Sequence, residues 1–311
     1  MDLPKTISRQ AALQAGVAGR ELRGRSWHRI CRGHYVNTGD VGELNAAQRH
    51  SVLTGAVAAG ASSAAVVSHV SAAVAHGLPV WFVPLTRVHL TRNRKTGARI
   101  GPRVVVHAAS TEPDEIVRIG DLRVTAVART IIDLARTVPF EQAVVIGDAA
   151  LRLGRTSRAE LAEQLMRSSG RPGCPAARRV IEFLDGRAES PGESRSRVAL
   201  HTCGLPMPEL QPTILDVRGT AVSRVDFLFP TLGVVGEFDE MAQRRNNIHP
   251  SAESVAEKVR DDALRALGWI VVRWCWRDLD NSEPWLTRLT RAADLARRIR
   301  RTGSWLAAES I

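Results

Sequence analysis

Cysteine is scarce and scattered in this chain. Cys31, Cys174, Cys203 and Cys275 form no CxxC pair, which argues against a zinc site and against a disulfide framework and leaves four ordinary thiols. Long hydrophobic runs are absent too: no apolar stretch of about 18 residues is free of charge. The opening MDLPKTISRQ has no apolar segment, so the expectation is a cytoplasmic protein with neither a membrane span nor a secretory signal. Lysine is nearly missing. Only Lys5, Lys95 and Lys258 are lysines, so the formal net charge of +11 rests almost wholly on arginine. Such an excess attracts polyanions, because side chains that neutralise phosphates release condensed counterions. The 311 residues, 44% of them hydrophobic, suit two or three domains that each bury a core.

One passage is hard to explain by packing alone. In RVDFLFPTLGVVGEFDEMAQ, residues 224–243, two alternating runs flank a turn at Pro230 to Gly233, which reads as a β-hairpin. If Phe229 faces Val234, counting outward puts Asp226 opposite Glu237, with Asp239 on the same face as Glu237. Like charges directly opposite destabilise a strand pair, their Cβ atoms being roughly 5 Å apart. A hard divalent cation, Mg²⁺ with Mn²⁺ as substitute, would relieve them, which makes Asp226, Glu237 and Asp239 the candidate metal ligands.

Asp226, the Glu237-Phe238-Asp239 triplet, a helix carrying Glu257, Lys258, Arg260 and Asp261, and the strand Trp269 to Trp276 together resemble the nuclease-like domain related to very-short-patch-repair endonucleases, within the PD-(D/E)XK group. The resemblance covers the last third of the chain. It implies a restriction-endonuclease-like α/β domain, with Glu193 of SPGESRSR as the acid of the first helix and Gln211 of PELQP as a strand glutamine. Two departures stand out. Glu240 replaces the glycine of many relatives, and Gln243 stands where a lysine is expected. Lys258, the only lysine near these carboxylates, is the best substitute for the missing cation, or simply a solvent-facing helix residue. The catalytic set is then Asp226, Glu237, Asp239, Glu193 and Lys258. Glu193 also has a local reading, because Ser190-Pro191-Gly192-Glu193 is a capping box with proline in the first turn.

At the other end, TISRQAALQAG reads as a short helix capped by Ser8, followed by a second helix over 17–24 and a basic hairpin around Gly33. Helix, turn, basic helix and hairpin make a winged helix-turn-helix. Arg20 and Arg23 would approach the major groove, with Arg25, His28, Arg29 and Arg32 on the DNA side. A small helical cap with a solvated charged face is the alternative. This pattern, together with SHVSAA, VHLT and VTAVARTIIDLAR further on, resembles AbiEi-type antitoxins over the first half of the chain. That resemblance implies DNA binding and a cognate nucleotidyltransferase toxin as partner.

Residues 43–77 are Ala-rich and helical in pattern. Strands are expected at 88–91, 103–107, 116–119 and 122–125, the last two joined by Gly120-Asp121, and helices at 129–136 and 140–153. Asp133 sits one turn from Arg129, a helix pair worth a few tenths of a kcal/mol. His69, His76, His89 and His107 fall on different elements without an i, i+4 pair, which reads as structural or surface histidines. The helix of 251–267 is expected to bury Val255, Val259, Ala263 and Leu267.

The fold class is therefore multidomain α+β and α/β. A winged helix-turn-helix spans 1–42, an α+β middle region 43–168, a Gly/Pro/Ser linker 169–175 and a nuclease-like domain 176–311. Two functions follow: a DNA-associated, metal-dependent endodeoxyribonuclease, or a non-catalytic repressor or antitoxin of a type IV toxin–antitoxin-like system with a degenerate nuclease fold. No membrane partner and no cofactor beyond the metal is implied.

Overall fold

The computed structural model of the chain describes residues 4–94, 96–240 and 252–309, the side chains of 252–256 excepted. It is a mixed α/β structure with several sheets, divided into two compact units: Met1–Ala150 with Gly154–Phe183, and Leu151–Leu153 with Leu184–Ile311.

In the first unit, Ile7–Ser8 (β1) leads into the helix Arg9–Gln14 (α1), whose N-cap Ser8 accepts the Ala11 N–H at 3.1 Å. Gly16, at φ +85°, follows the end of this helix. The helix expected over 17–24 is only a 3₁₀ turn, Glu21–Arg23. Gly19 and Gly24 fall inside a stretch too short to offset the cost of helix nucleation. The basic hairpin does form, from Trp27–Cys31 (β2) and His34–Asn37 (β3) around Gly33 at φ +80°. With β1 on β3, the sheet order is β1-β3-β2. Ala12, Leu22 and Tyr35 make a small core beneath it.

The helix Ala46–Ala59 (α2) starts at a capping box between Asn45 and Gln48. The Ala-rich stretch is not helical throughout. Ala65–Val67 (β4) interrupts it before His69–Ala75 (α3), because the β-branched Val66 and Val67 are buried in a sheet. That sheet also holds Val88–Arg92 (β5), Arg99–Ile100 (β6), Val104–Ala108 (β7), Ile116–Ile119 (β8) and Leu122–Thr125 (β9), in the order β6-β7-β5-β4-β9-β8. Helices Val127–Ala135 (α4), Phe140–Arg152 (α5), Arg158–Arg167 (α6) and Cys174–Phe183 (α7) follow. The stretch 169–175 joins α6 to α7 inside this unit, held by Arg136 Nε donating to the Pro172 carbonyl at 2.8 Å. The boundary between units lies further on, between Phe183 and Leu184.

Arg129 and Asp133 do pair across one turn of α4, at 2.8 Å, but not as a surface pair. Both are buried, and Arg129 Nη1 also reaches Glu115 at 2.6 Å, while Arg136 meets Asp133 at 3.2 Å. The helix turns this charged edge toward its neighbours because each charge finds a partner there, which changes its energetic weight.

In the second unit, Pro191–Thr202 (α8) begins at the N-cap Ser190, whose hydroxyl accepts the Glu193 N–H at 3.1 Å. Glu209–Leu210 (β10), Thr213–Leu215 (β11) and Ala221–Arg224 (β12) precede the central hairpin of Phe227–Phe229 (β13) and Val234–Phe238 (β14). Its register is Phe229 with Val234, Leu228 with Val235 and Phe227 with Gly236. Helix Ala252–Ala266 (α9) then crosses to Ile270–Trp274 (β15), parallel to β14. The four-stranded sheet is β10-β13-β14-β15.

Alternation sends Phe227, Phe229 and Val234 to one face, where they pack with Trp274 and with Trp285, Leu289 and Ala293 of the helix Ser282–Ala296 (α11), which follows the short helix Trp276–Asp280 (α10). Leu228 and Val235 take the other face, with Leu264 of α9 and Trp269. A final strand, Ser304–Leu306 (β16), pairs with β11 in a second sheet, β12-β11-β16. Gly236 leaves room for the Trp274 ring, which a Cβ there would strike. Among the described residues no helix is long and apolar enough to cross a membrane.

Candidate functional site

The paired register of β13 and β14 ends at Phe227 with Gly236, so Asp226 lies just before it on one strand and Glu237 just after it on the other, near enough that the Asp226 charge bears on the Glu237 carboxyl. Glu237 shares by alternation the Val235 face, which α9 covers. Glu237 is 8% exposed. Its Oε2 receives Arg260 Nη2 at 3.3 Å, while its Oε1 is buried without a hydrogen-bond partner. Burial, followed by the nearby Asp226 charge, pushes the Glu237 carboxyl up to about 7, with Arg260 and Arg273 pulling the other way.

Asp226 is held at both oxygens. The Phe238 N–H donates to Oδ2 at 2.8 Å and Gln211 Nε2 approaches Oδ1 at 3.4 Å. Burial raises its carboxyl above the usual range, and these donors oppose the rise. Gln211 also donates to Glu193 Oε2 at 2.9 Å, so one amide ties two acids together. It does so from φ +55°, a left-handed conformation that costs a side-chain-bearing residue about 1–3 kcal/mol and persists only where its surroundings fix it. Glu193 Oε2 takes the Glu189 N–H at 2.9 Å as well, so the same carboxylate fastens the start of α8 and faces the site. Burial and then Asp226 push it up to about 7.

Two expected members stand differently. Asp239 is half-buried, its N–H donating to the Trp274 carbonyl at 2.8 Å. Its carboxylate does not gather with those of Asp226 and Glu237 into a group whose ligand atoms all lie within 4.8 Å. Lys258 is exposed on α9, and among the described residues no ion pair joins it to the carboxylates. The cation at the site is Arg260. Gln243 lies outside the described residues, and Glu240 is exposed.

The reason is the inward face of α9. Val259 is 64% exposed, and the helix buries Asp261 and Leu264 instead. Of the expected stripe, Val259 is turned out, Ala263 is half-buried, Leu267 packs against the core of Leu264 and Trp269, and the side chain of Val255 lies outside the described residues; Arg273 of β15 draws in both Asp261, through two bonds of 2.8 Å, and Glu257, at 3.3 Å. That facing brings Arg260 to Glu237. Arg260 and Gln211 are thus the two site residues that the catalytic set omits. The parallel register of Glu237 with Arg273 is the signal that could have found the first.

In the first unit Arg20, Arg23, Arg25, His28, Arg29 and Arg32 are all exposed. Arg23 and Arg29 bond only to local carbonyls, Gly19 and Cys31. Arg20 and Arg23 lie at the 3₁₀ turn rather than on an α-helix. The histidines are not independent of one another. His69, His89 and His107 bring one ligand atom each within 4.8 Å of the others, while His76 stands apart and bonds the Thr125 carbonyl at 2.8 Å.

No family model matches the chain. It is 34% identical over 176 residues to uncharacterized protein MT2308 of Mycobacterium tuberculosis strain CDC 1551 / Oshkosh, and equally to uncharacterized protein Rv2248 of strain ATCC 25618 / H37Rv. The alignment takes in 57% of this chain and spans 63% of the length of each relative.

Proposed function

We propose that this chain is a DNA-associated protein whose second unit is a nuclease-like domain that holds Mg²⁺ and acts on phosphodiester bonds. The observation that carries the reading is Glu237 Oε1, buried and without a donor beside Asp226. A buried polar atom left unpaired costs about 1–3 kcal/mol, more for a charged group, and a divalent cation offsets that cost with oxygen coordination. Glu237 Oε1 and Asp226 Oδ1 are the two oxygens that would hold the ion, with Glu193 fixed behind them by Gln211. The ion supplies a bound water of lowered pKa and shields charge on the phosphate. The chain's own residues do the positioning: the Phe238 N–H fixes Asp226, and Arg260 stands ready to meet the charge of a phosphate. The exposed arginines of the first unit supply phosphate contacts that do not depend on sequence.

The test is cleavage of supercoiled DNA with Mg²⁺ or Mn²⁺. Wild type nicks the substrate and Asp226→Asn is slower by at least about a hundredfold. A folded wild-type protein that cuts no DNA form with either ion refutes the nuclease reading.

A second reading is favoured by Arg260 standing 3.3 Å from Glu237 Oε2 and by the exposure of Lys258. In it the nuclease fold has lost turnover, and the chain is a repressor or antitoxin whose partners are DNA and a nucleotidyltransferase toxin. Replacing Arg20 and Arg23 by alanine then weakens DNA binding and lowers the slope of log K against log salt by about 2. Unchanged binding refutes the assignment of these two arginines.

A further inference from the structure

We propose that His69, His89 and His107 form a binding site for a divalent transition-metal ion such as Zn²⁺, with three imidazole donors and a fourth position left for water. The site is in the first unit and is independent of the acidic site. Among the described residues this is the group of three or more His, Cys, Asp or Glu side chains whose ligand atoms all lie within 4.8 Å of one another.

The sheet makes the convergence. β5 and β7 are parallel neighbours with Thr91 beside His107 and His89 beside Val105, so His89 and His107 are diagonal neighbours on one face. Nδ1 of His89 and Nε2 of His107 share a hydrogen bond of 3.1 Å, whose proton a bound ion would displace. A tetrahedral ion with metal–nitrogen bonds of about 2.0–2.1 Å sets its ligand nitrogens roughly 3.3 Å apart, so little movement is needed to seat one. The third ring comes from the residue that opens α3, next to the end of β4. His69 is 5% exposed and takes φ +51°, an unusual conformation for a residue with a side chain. Its ring stacks on that of His107, centroids 3.7 Å apart and planes 14° from parallel. Stacked rings aim their in-plane lone pairs side by side and not at one point, so an ion that takes both must draw the His69 ring out of the stack.

The surroundings suit a cation bound by neutral rings. His69 Nδ1 is paired with Ser68 Oγ at 3.0 Å, which leaves its Nε2 for the ion, and Thr91 donates to that same Ser68 oxygen at 2.8 Å. A partner of this kind fixes the tautomer of a metal-binding imidazole. Burial lowers all three rings below the ordinary histidine value, His89 to about 4, so they are neutral near pH 7, the form that binds metal. The nearby guanidinium groups of Arg129 and Arg136 are matched by Glu115 and Asp133 in ion pairs, so that cluster presents no net positive charge to an incoming ion.

The experiment is titration of the full, chelator-treated chain with Zn²⁺ and Co²⁺, in wild type and in His89→Gln and His107→Gln. We expect one tight ion per chain in the wild type. Bound Co²⁺ should show the intense visible bands of tetrahedral nitrogen coordination, and Zn²⁺ should raise Tm. Each substitution should weaken binding at least about a hundredfold, while His76→Gln, outside the cluster, leaves it unchanged. Wild-type protein that shows no tetrahedral Co²⁺ spectrum, or substituted chains that bind with wild-type affinity, would overturn the proposal. If the substituted chains do not fold, the wild-type Co²⁺ spectrum alone decides.

Discussion

The acidic site of the second unit and the histidine cluster of the first are both buried polar groups, but different rules of chain geometry assemble them. Asp226 and Glu237 flank the two ends of a hairpin whose tight turn sets the register, Phe227 with Gly236, so their nearness can be counted from the sequence. His89 and His107 meet across parallel strands, whose offset is set by a crossover and not by a turn. His69 joins them only through a residue in the left-handed region. The comparison teaches that a site's legibility depends on what fixes its register, not on how far apart its residues lie along the chain.

That contrast can be broken or sharpened by experiment. The largest effect is expected in the first unit. Arg129 is fully buried between Glu115 and Asp133, and Arg129→Ala leaves two buried carboxylates short of a partner. Removing one side of such a network costs about 3–5 kcal/mol, measurable by denaturant unfolding. A loss below about 1 kcal/mol would mean that the pair behaves like the surface pair its helical spacing suggests.

Next comes pH. In metal-free protein the Glu193 and Glu237 carboxyls stand at about 7, against an ordinary value of 4.5. The folded state therefore binds more protons than the unfolded chain between these values. Stability is greatest below about pH 4.5 as far as these groups are concerned, and falls as pH rises toward 7, by a few kcal/mol for the pair. Glu237→Gln removes its share, so the pH profile of Tm flattens and the variant is the more stable protein at pH 8. A Tm that rises from pH 5 to 8 in both proteins would contradict the burial of these acids. The smallest effect concerns Arg260, which competes for Glu237. Arg260→Ala should tighten Mg²⁺ binding about three- to tenfold, whereas weaker binding would assign Arg260 to the supporting structure of the ion site.

Much of the fold follows from local patterns. The strands 116–119 and 122–125 lie where alternation and Gly120-Asp121 place them. Ser8, Ser157 and Ser190 cap the helices they precede. What local pattern misses is tertiary preference. The inward face of α9 is chosen by Arg273 and Glu237 from another element, against the apolar stripe that Val259 suggests. The short segment 17–24 forms no α-helix despite its polar and apolar spacing, since Gly19 and Gly24 weaken it and its length cannot compensate. Gln211 reaches the acids from a left-handed backbone, which no periodicity reveals.

The central claim, that paired acids on one hairpin form a cation site, is tested most directly by isothermal calorimetry with Mg²⁺ and Mn²⁺ at pH 8 on wild type and Glu237→Gln. The account predicts saturable binding of one ion to the wild type and its loss in the variant, at a site distinct from the three histidines. Equal heats from both proteins, or none from a folded wild type, would contradict it.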